Sequence, residues 1–92
     1  MRVFWASGAE QDRLEIFEFI ARDNPSAAVR MDELFGRSAA RLAEQALLGR
    51  PGVVAGTREL IVHESYRLVY EVDGDVVWIL TLVHTAQLWP KG

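Results

Sequence analysis

The side chains of this 92-residue chain that could do chemistry are arginines, carboxylates, two histidines and three tryptophans. Lys91 is the only lysine, so almost every cation is a guanidinium, whose planar fork favours fixed, bidentate contacts over diffuse attraction. The histidines are His63 and His84, and cysteine is absent. We therefore expect no disulfide, no metal site and no cofactor.

The tryptophans and the net charge bear on nucleic-acid binding. Trp5, Trp78 and Trp89 could act as platforms on which bases stack, but large aromatic side chains more often anchor cores and protein interfaces. The formal net charge is −3, from 10 basic and 13 acidic residues, whereas proteins that hold phosphates usually carry a basic excess. The composition therefore disfavours broad affinity for RNA or DNA.

One strand and one helix are predicted at the start of the chain. Residues 2–6 are rich in β-forming side chains, and Ser7 with Glu10 makes the pattern of a capping box that opens a helix. Apolar side chains then recur at helical spacing, which predicts an amphipathic helix over residues 8–22.

A second helix and a loop follow. Asn24 and Pro25 have the pattern of an N-cap followed by proline in the first turn, and apolar spacing predicts a helix of roughly six turns that ends near Gly49. Gly36 within it indicates close packing against another element. The segment 49–57, rich in glycine, is predicted to be a loop.

The second half alternates as a sheet does, with a two-residue turn at Asp73 and Gly74. The predicted strands are Arg58 to His63, Tyr66 to Val72, and Val76 to His84. We therefore predict a single domain over residues 1–92. Its class is α+β in the order β-α-α-β-β-β, with a helical hairpin packed on one face of a mainly antiparallel four-stranded sheet.

The predicted turn also sets a strand register. It pairs Val72 with Asp75, and therefore Arg67 with Leu80. Alternation then places Arg67, Trp78, Leu82 and His84 on one face, with Leu68, Tyr70, Val77 and Ile79 on the other, and His63 on the face of Tyr66, away from Arg67. His84 would lie roughly 13 Å from Arg67 along the sheet. Both faces are substantially apolar, so we expect the face opposite the helices to bind another chain.

An ordered set of short motifs resembles one toxin family. In the second half these are Gly49-Arg50-Pro51-Gly52, Gly56-Thr57-Arg58-Glu59-Leu60, Tyr66-Arg67-Leu68-Val69-Tyr70-Glu71-Val72, Ile79-Leu80, Val83-His84 and Trp89-Pro90. In the first half they are Asp12-Arg13-Leu14, Ile16, Ile20-Ala21, Asn24-Pro25 and Ala27-Ala28. In order and spacing these resemble the RelE/ParE toxins of bacterial type II toxin–antitoxin systems over most of the chain.

The resemblance implies a small toxin that arrests growth and is held inactive by a cognate antitoxin, whose segment wraps the toxin surface. It implies a hetero-oligomer that reaches operator DNA only through the antitoxin. The N-terminus lacks the pattern of a signal peptide and no stretch has the length of a membrane helix, so we expect a cytoplasmic protein without a membrane partner. RelE-like members cut messenger RNA on the ribosome, whereas ParE-like members poison DNA gyrase.

The resemblance also suggests site residues. Arg67 matches the arginine that RelE-like enzymes place against the scissile phosphate, and His84 resembles a terminal histidine that some members use as acid or base. These two would be catalytic only in a metal-independent ribonuclease. However, RelE has lysines before and within its second strand, where this chain has only Arg50 and Arg58. RelE also has a catalytic tyrosine in its C-terminal segment, where this chain has Gln87, Leu88 and Trp89. The residues expected to contact the target or the antitoxin are Arg50, Arg58, Arg67, Trp78, Leu82, Gln87 and Trp89.

The acidic charge and the missing lysines favour gyrase inhibition by protein contact. The combination of Arg67 and His84 keeps the ribonuclease as an alternative. A third hypothesis is an inactive family member that only binds an antitoxin or helps repress the shared operon.

Overall fold

The structure is a computed structural model that describes residues 1–86 and 89–90. The elements in this part of the chain are β1 (Arg2–Trp5), α1 (Ser7–Ala21), α2 (Pro25–Arg41), β2 (Arg50–Pro51), β3 (Thr57–His63), β4 (Tyr66–Asp73) and β5 (Val76–His84). No helix in these ranges is both long and apolar enough to cross a membrane.

The strands form one sheet in the order β1-β5-β4-β3-β2. β1 runs parallel to β5, and the other neighbouring strands are antiparallel. The predicted α+β class and its helical hairpin are confirmed. The sheet has a fifth strand, because Arg50 and Pro51 pair with Glu59 and Arg58 at the edge, where proline costs no ladder hydrogen bond. These two residues fall within the segment 49–57 that is predicted to be a loop, so that prediction is wrong for them.

The helices cover one face of the sheet. The helices contribute Ala9, Phe35 and Ala39 to the core, and Leu42 joins them just beyond the end of α2. These side chains pack against buried residues of the sheet, namely Leu68, Tyr70, Val77, Ile79 and Leu82. Phe35 also meets the ring of Tyr66 edge-on, with centroids 5.5 Å apart. This burial of alternate sheet residues is what the period-two pattern of the second half predicts.

The predicted capping box at the start of α1 is wrong. The helix begins at Ser7 itself, and its N-cap is Ala6, which makes no side-chain cap hydrogen bond. The Ala6 N–H donates to the Ile79 carbonyl at 2.8 Å, so the pairing of β1 with β5 continues up to the N-cap. Strand pairing therefore sets the first residue of this helix without a capping side chain.

The second helix is shorter than its apolar spacing predicts. Its start is as expected, since the Asn24 side chain accepts a hydrogen bond from the Ala27 N–H at 3.1 Å. It ends at Arg41, and the chain continues in tight turns. Leu42 is nevertheless fully buried and Ala46 packs against the core, because the turns keep the same side of the chain inward.

A charged clasp joins the two helices. Arg13 Nε donates to Asp32 Oδ1 at 2.6 Å, and Arg13 Nη2 donates to Asp32 Oδ2 and to the Asp32 carbonyl, both at 3.1 Å. The guanidinium also lies 4.7 Å from the ring centroid of Trp5. A Cβ atom at Gly36 would stand 3.2 Å from Arg13 Nη2, which confirms that this glycine permits close packing.

Replacing Arg13 with alanine should lower the free energy of unfolding by about 2 kcal/mol, because three charge-assisted hydrogen bonds are lost together. The matched control is Arg37→Ala, since Arg37 Nη1 lies 3.8 Å from Glu33 Oε2 and both side chains are more than half exposed. Such a pair contributes about 0.3–0.5 kcal/mol. Urea unfolding of both variants measures the two losses in free energy of unfolding. Equal, small losses would show that the clasp contributes no more than an exposed ion pair.

The register between β4 and β5 differs from the predicted one. Asp73 pairs with Val76, so Gly74, with φ at +61°, and Asp75 form the turn. A bulge then lies between Val69, which pairs with Thr81, and Tyr70, which pairs with Ile79. The extra residue reverses the alternation of β5 beyond this point.

Candidate functional site

The bulge brings the two candidate catalytic residues level along the sheet but places them on opposite faces. Arg67 pairs with Val83, and its neighbour Tyr66 pairs with His84. The predicted separation of 13 Å along the sheet is therefore wrong. So is the shared face, because paired residues lie on the same face and adjacent ones alternate. His84 lies with Tyr66 on the helix side, whereas Arg67 lies on the opposite side. We call this side the open face because neither α1 nor α2 packs on it, although Val69 and Val83 on it are buried.

Arg67 is engaged in a buried ion pair on the open face. Its Nε lies 3.0 Å from Glu59 Oε1, and the two side chains are only 13% and 6% exposed. Its Nη1 donates to the Thr85 carbonyl at 3.3 Å. A carboxylate at this distance neutralises most of the attraction that the guanidinium would offer a phosphate. The arrangement therefore suits a structural cation better than one poised for a substrate phosphate.

Besides its ion pair with Arg67, Glu59 binds the loop that follows β2. Its Oε2 accepts a hydrogen bond from the Val53 N–H at 3.2 Å. The loop is closed by two further bonds, from the Gly52 N–H to the Thr57 carbonyl at 2.8 Å and from Thr57 Oγ1 to the Val54 carbonyl at 2.6 Å. Arg67 and Glu59 thus connect the loop after β2 with the turn after β5.

The histidines lie on the helix face, as predicted for His63. The Nδ1 atom of His63 accepts from the Ser65 N–H at 3.0 Å, and Nδ1 of His84 accepts from the Ala86 N–H at 3.1 Å. Both rings flank Tyr66, with centroids 6.2 Å and 5.6 Å from its own. Neither ring shares a face with Arg67, so in this arrangement the histidines and this arginine do not face a common phosphate site.

The other two arginines predicted to contact a partner, Arg58 and Arg50, differ in their hydrogen bonds and exposure. Arg58 Nη1 donates to the Gly49 carbonyl at 2.7 Å, which fixes the turn that ends the helical segment. The buried Tyr70 hydroxyl supports the same turn, since it donates to the Ala46 carbonyl at 2.7 Å and accepts from the Gly49 N–H at 2.9 Å. Arg50 lies exposed on β2. Of the two, Arg50 is the more accessible to a partner.

The predicted contact residues of β5 separate onto the two faces. Trp78 pairs with Glu71 and therefore shares the open face with Arg67, as predicted. It is 37% exposed and packs against Phe4, with ring centroids 5.3 Å apart. Leu82 instead lies in the core at 4% exposure, on the helix side. Its predicted place on the face of Arg67 is wrong, because the bulge precedes it.

A groove lies between α1 and the end of β5. Its volume is about 490 Å³, and its lining residues are Asp12, Glu15, Ile16, Phe19, Tyr66, Thr81, Leu82, Val83, His84 and Trp89. β1 pairs with β5 as far as Ile79, and beyond that residue the edge of β5 contacts α1. Asp12 Oδ2 accepts from Thr81 Oγ1 at 2.6 Å and from the Leu82 N–H at 3.2 Å, which caps this edge.

Sequence reasoning placed Trp89 and His84 among the candidates but missed the α1 side of the groove. The available clue was Phe19, an apolar residue outside the stripe of α1 that faces the core. It is 67% exposed. Gln87, the remaining predicted contact residue, lies outside the described residues.

Comparisons with known proteins identify the family. The chain matches, over residues 3–89, the family model described as the ParE toxin of the type II toxin-antitoxin system parDE. It is 37% identical over 91 residues to the candidate toxin Y4kP of Sinorhizobium fredii (strain NBRC 101917 / NGR234), covering 98% of this chain and 94% of that protein.

Two solved structures are also similar. One is from the chromosomal ParDE toxin–antitoxin system of P. aeruginosa, with a TM-score of 0.81 and 22% identity over 91% of this chain and 95% of that one. The other is from the RelBE2 toxin–antitoxin complex of Mycobacterium tuberculosis, with a TM-score of 0.59 and 25% identity over 90% and 95%. Because the family model spans nearly the whole chain, this protein belongs to the ParE toxin family of type II toxin–antitoxin systems, within the RelE/ParE superfamily.

Proposed function

We propose that this ParE-family toxin arrests growth in the cytoplasm by inhibiting DNA gyrase through protein contact, and that a cognate antitoxin holds it inactive in a hetero-oligomer. Membership of the ParE family supports the gyrase target, and the relatives taken from toxin–antitoxin complexes support the antitoxin partner. The superfamily fold hosts more than one activity, so the choice of target rests on the site.

The observation that favours gyrase over messenger RNA as the target is the ion pair between Arg67 and Glu59. Cleavage of RNA by its own 2′-hydroxyl needs a base, an acid and a cation that faces the crowded phosphate. In this chain the candidate cation is paired with Glu59 on one face, while His84 lies on the other. The net charge of −3 adds no attraction for RNA.

The alternative is a ribosome-dependent ribonuclease that uses His84, which is exposed on the helix face beside Tyr66. Expression of the chain without antitoxin separates the two functions. The proposal predicts arrest with a DNA-damage response and intact messages, and His84→Ala should leave the arrest unchanged because the ring would take no part in chemistry.

Both readouts are to be taken from the same culture, with the damage response followed by a reporter and messages by mapping of their 5′ ends. In-frame cuts without damage signalling, together with loss of arrest in His84→Ala, would establish the ribonuclease. Stable expression of folded chain with no arrest would instead support a module that only binds the antitoxin.

A further inference from the structure

The groove between α1 and β5 combines apolar walls with acidic groups, and its lining within the described residues includes no arginine or lysine. Ile16, Phe19, Tyr66 and Trp89 supply the apolar and aromatic surface, and Asp12 and Glu15 supply the charge. Neither carboxylate forms an ion pair within residues 1–86 and 89–90. A surface of this kind repels phosphates and attracts a cationic side chain that has an apolar stem.

The two carboxylates are not equivalent. Asp12 Oδ2 already accepts two hydrogen bonds from the edge of β5, so this carboxylate has less capacity to bind a group from outside. In the part of the chain that the structure describes, Glu15 accepts from Gln11 Nε2 alone, at 3.0 Å and from its own helix, and its side chain is exposed. Glu15 is therefore the group at the rim that is best placed to meet a charge from outside.

Phe19 lies one helical turn beyond Glu15 on α1, so the two side chains are neighbours on the helix surface. At 67% exposure, the Phe19 ring contributes little to the core of this chain. An exposed aromatic ring beside a carboxylate is suited to hold a guanidinium or an ammonium group, through charge and through the ring face.

We propose that this groove binds a segment of the antitoxin that presents an arginine or lysine to Glu15 and packs the stem of that residue, with an adjacent apolar side chain, against Phe19. The proposal rests on the proposed function, because it takes the antitoxin as the partner. It adds the position on the toxin and the chemistry of the contact. The volume of about 490 Å³ accommodates a few side chains, not a whole domain.

The test measures the affinity of the full chain for the antitoxin encoded beside its gene. Glu15→Lys should raise the Kd about tenfold at low salt, and the effect should shrink as salt rises, since two cations would then face each other. Glu18→Lys is the matched control, because it makes the same charge change at an exposed position of α1 outside the groove lining. It should change the Kd less than about twofold.

The apolar half of the contact has its own control. Phe19→Ala should raise the Kd more than about tenfold, as expected for an aromatic anchor. Leu47→Ala removes a side chain of equal exposure, 68% against 67%, at a position outside the groove, and should leave the Kd unchanged. Circular dichroism confirms that all four variants are folded.

A charge-swap experiment identifies the partner group. In the Glu15→Lys background, each arginine and lysine of the antitoxin is changed to glutamate in turn, and one of these changes should restore the affinity. If Glu15→Lys behaves as Glu18→Lys does, or no swap restores binding, the groove assignment is wrong while the proposed function stands. If the unaltered chain does not bind the antitoxin, the groove assignment and the antitoxin partner are both overturned.

Discussion

Replacing Arg67 with methionine is expected to lower the free energy of unfolding by about 3 kcal/mol. Methionine keeps most of the aliphatic stem but leaves the Glu59 carboxylate, at 6% exposure, without its cation. It also removes the hydrogen bond to the Thr85 carbonyl. For a domain of this size such a loss corresponds to a fall in Tm of about 12–24 °C, which calorimetry measures directly.

Glu59→Gln separates the structural role of Arg67 from a catalytic one. If the pair is structural, this change destabilises the fold as well, and the double variant Arg67→Met with Glu59→Gln should lose less than the sum of the two single losses. Toxicity should then fall only as far as the folded fraction of each of the three variants falls. If Arg67 were catalytic, Glu59→Gln would keep the arrest, whereas Arg67→Met would abolish it at unchanged stability. That outcome would contradict our account of the site.

The architecture was predictable because local patterns and the tertiary fold agree. Alternation in the second half predicted strands whose inward residues, such as Leu68 and Ile79, are fully buried. Asn24 with Pro25 marked the start of α2. Where these patterns failed, a contact between distant parts of the chain decides the local structure.

The bulge in β5 is the clearest such case. No residue type near Leu80 signals it, and a continuous strand is what the sequence of β5 indicates. The extra residue falls where β1 has ended and where Asp12, about 70 positions earlier, bonds to Thr81 and Leu82. The bulge moves Leu82 from the predicted partner surface into the core, and it moves His84 away from the face of Arg67.

The end of α2 has a similar cause. Apolar spacing continues past Arg41, but Gly49 must approach β3 and β4 closely. A Cβ atom there would lie 2.8 Å from a ring carbon of Tyr70 and 2.9 Å from the Glu59 carbonyl. The turn that brings Gly49 to this position, fixed by Tyr70 and Arg58, ends the helix early. Spacing along the helix carries no information about this distant contact.

The candidate site was predictable only as a set of residue types. Arg67, His84 and Trp89 were found through their resemblance to family positions, but which face each occupies depends on the bulge. The Arg67 and Glu59 pair was not anticipated, because the two residues are 8 positions apart on different strands, and only the pairing of β3 with β4 brings them together. Its presence is what favours inhibition by contact over RNA chemistry.

The most direct measurement is therefore plasmid supercoiling by purified gyrase in the presence of the purified chain. We expect supercoiling to be almost abolished at a molar excess of the chain, with cleaved plasmid appearing once the gyrase is denatured, and we expect His84→Ala to act as the unaltered chain does. The antitoxin should restore supercoiling when added at an equal molar amount. Full supercoiling at every concentration of folded chain, alongside cleavage of ribosome-bound messenger RNA that His84→Ala abolishes, would contradict the account.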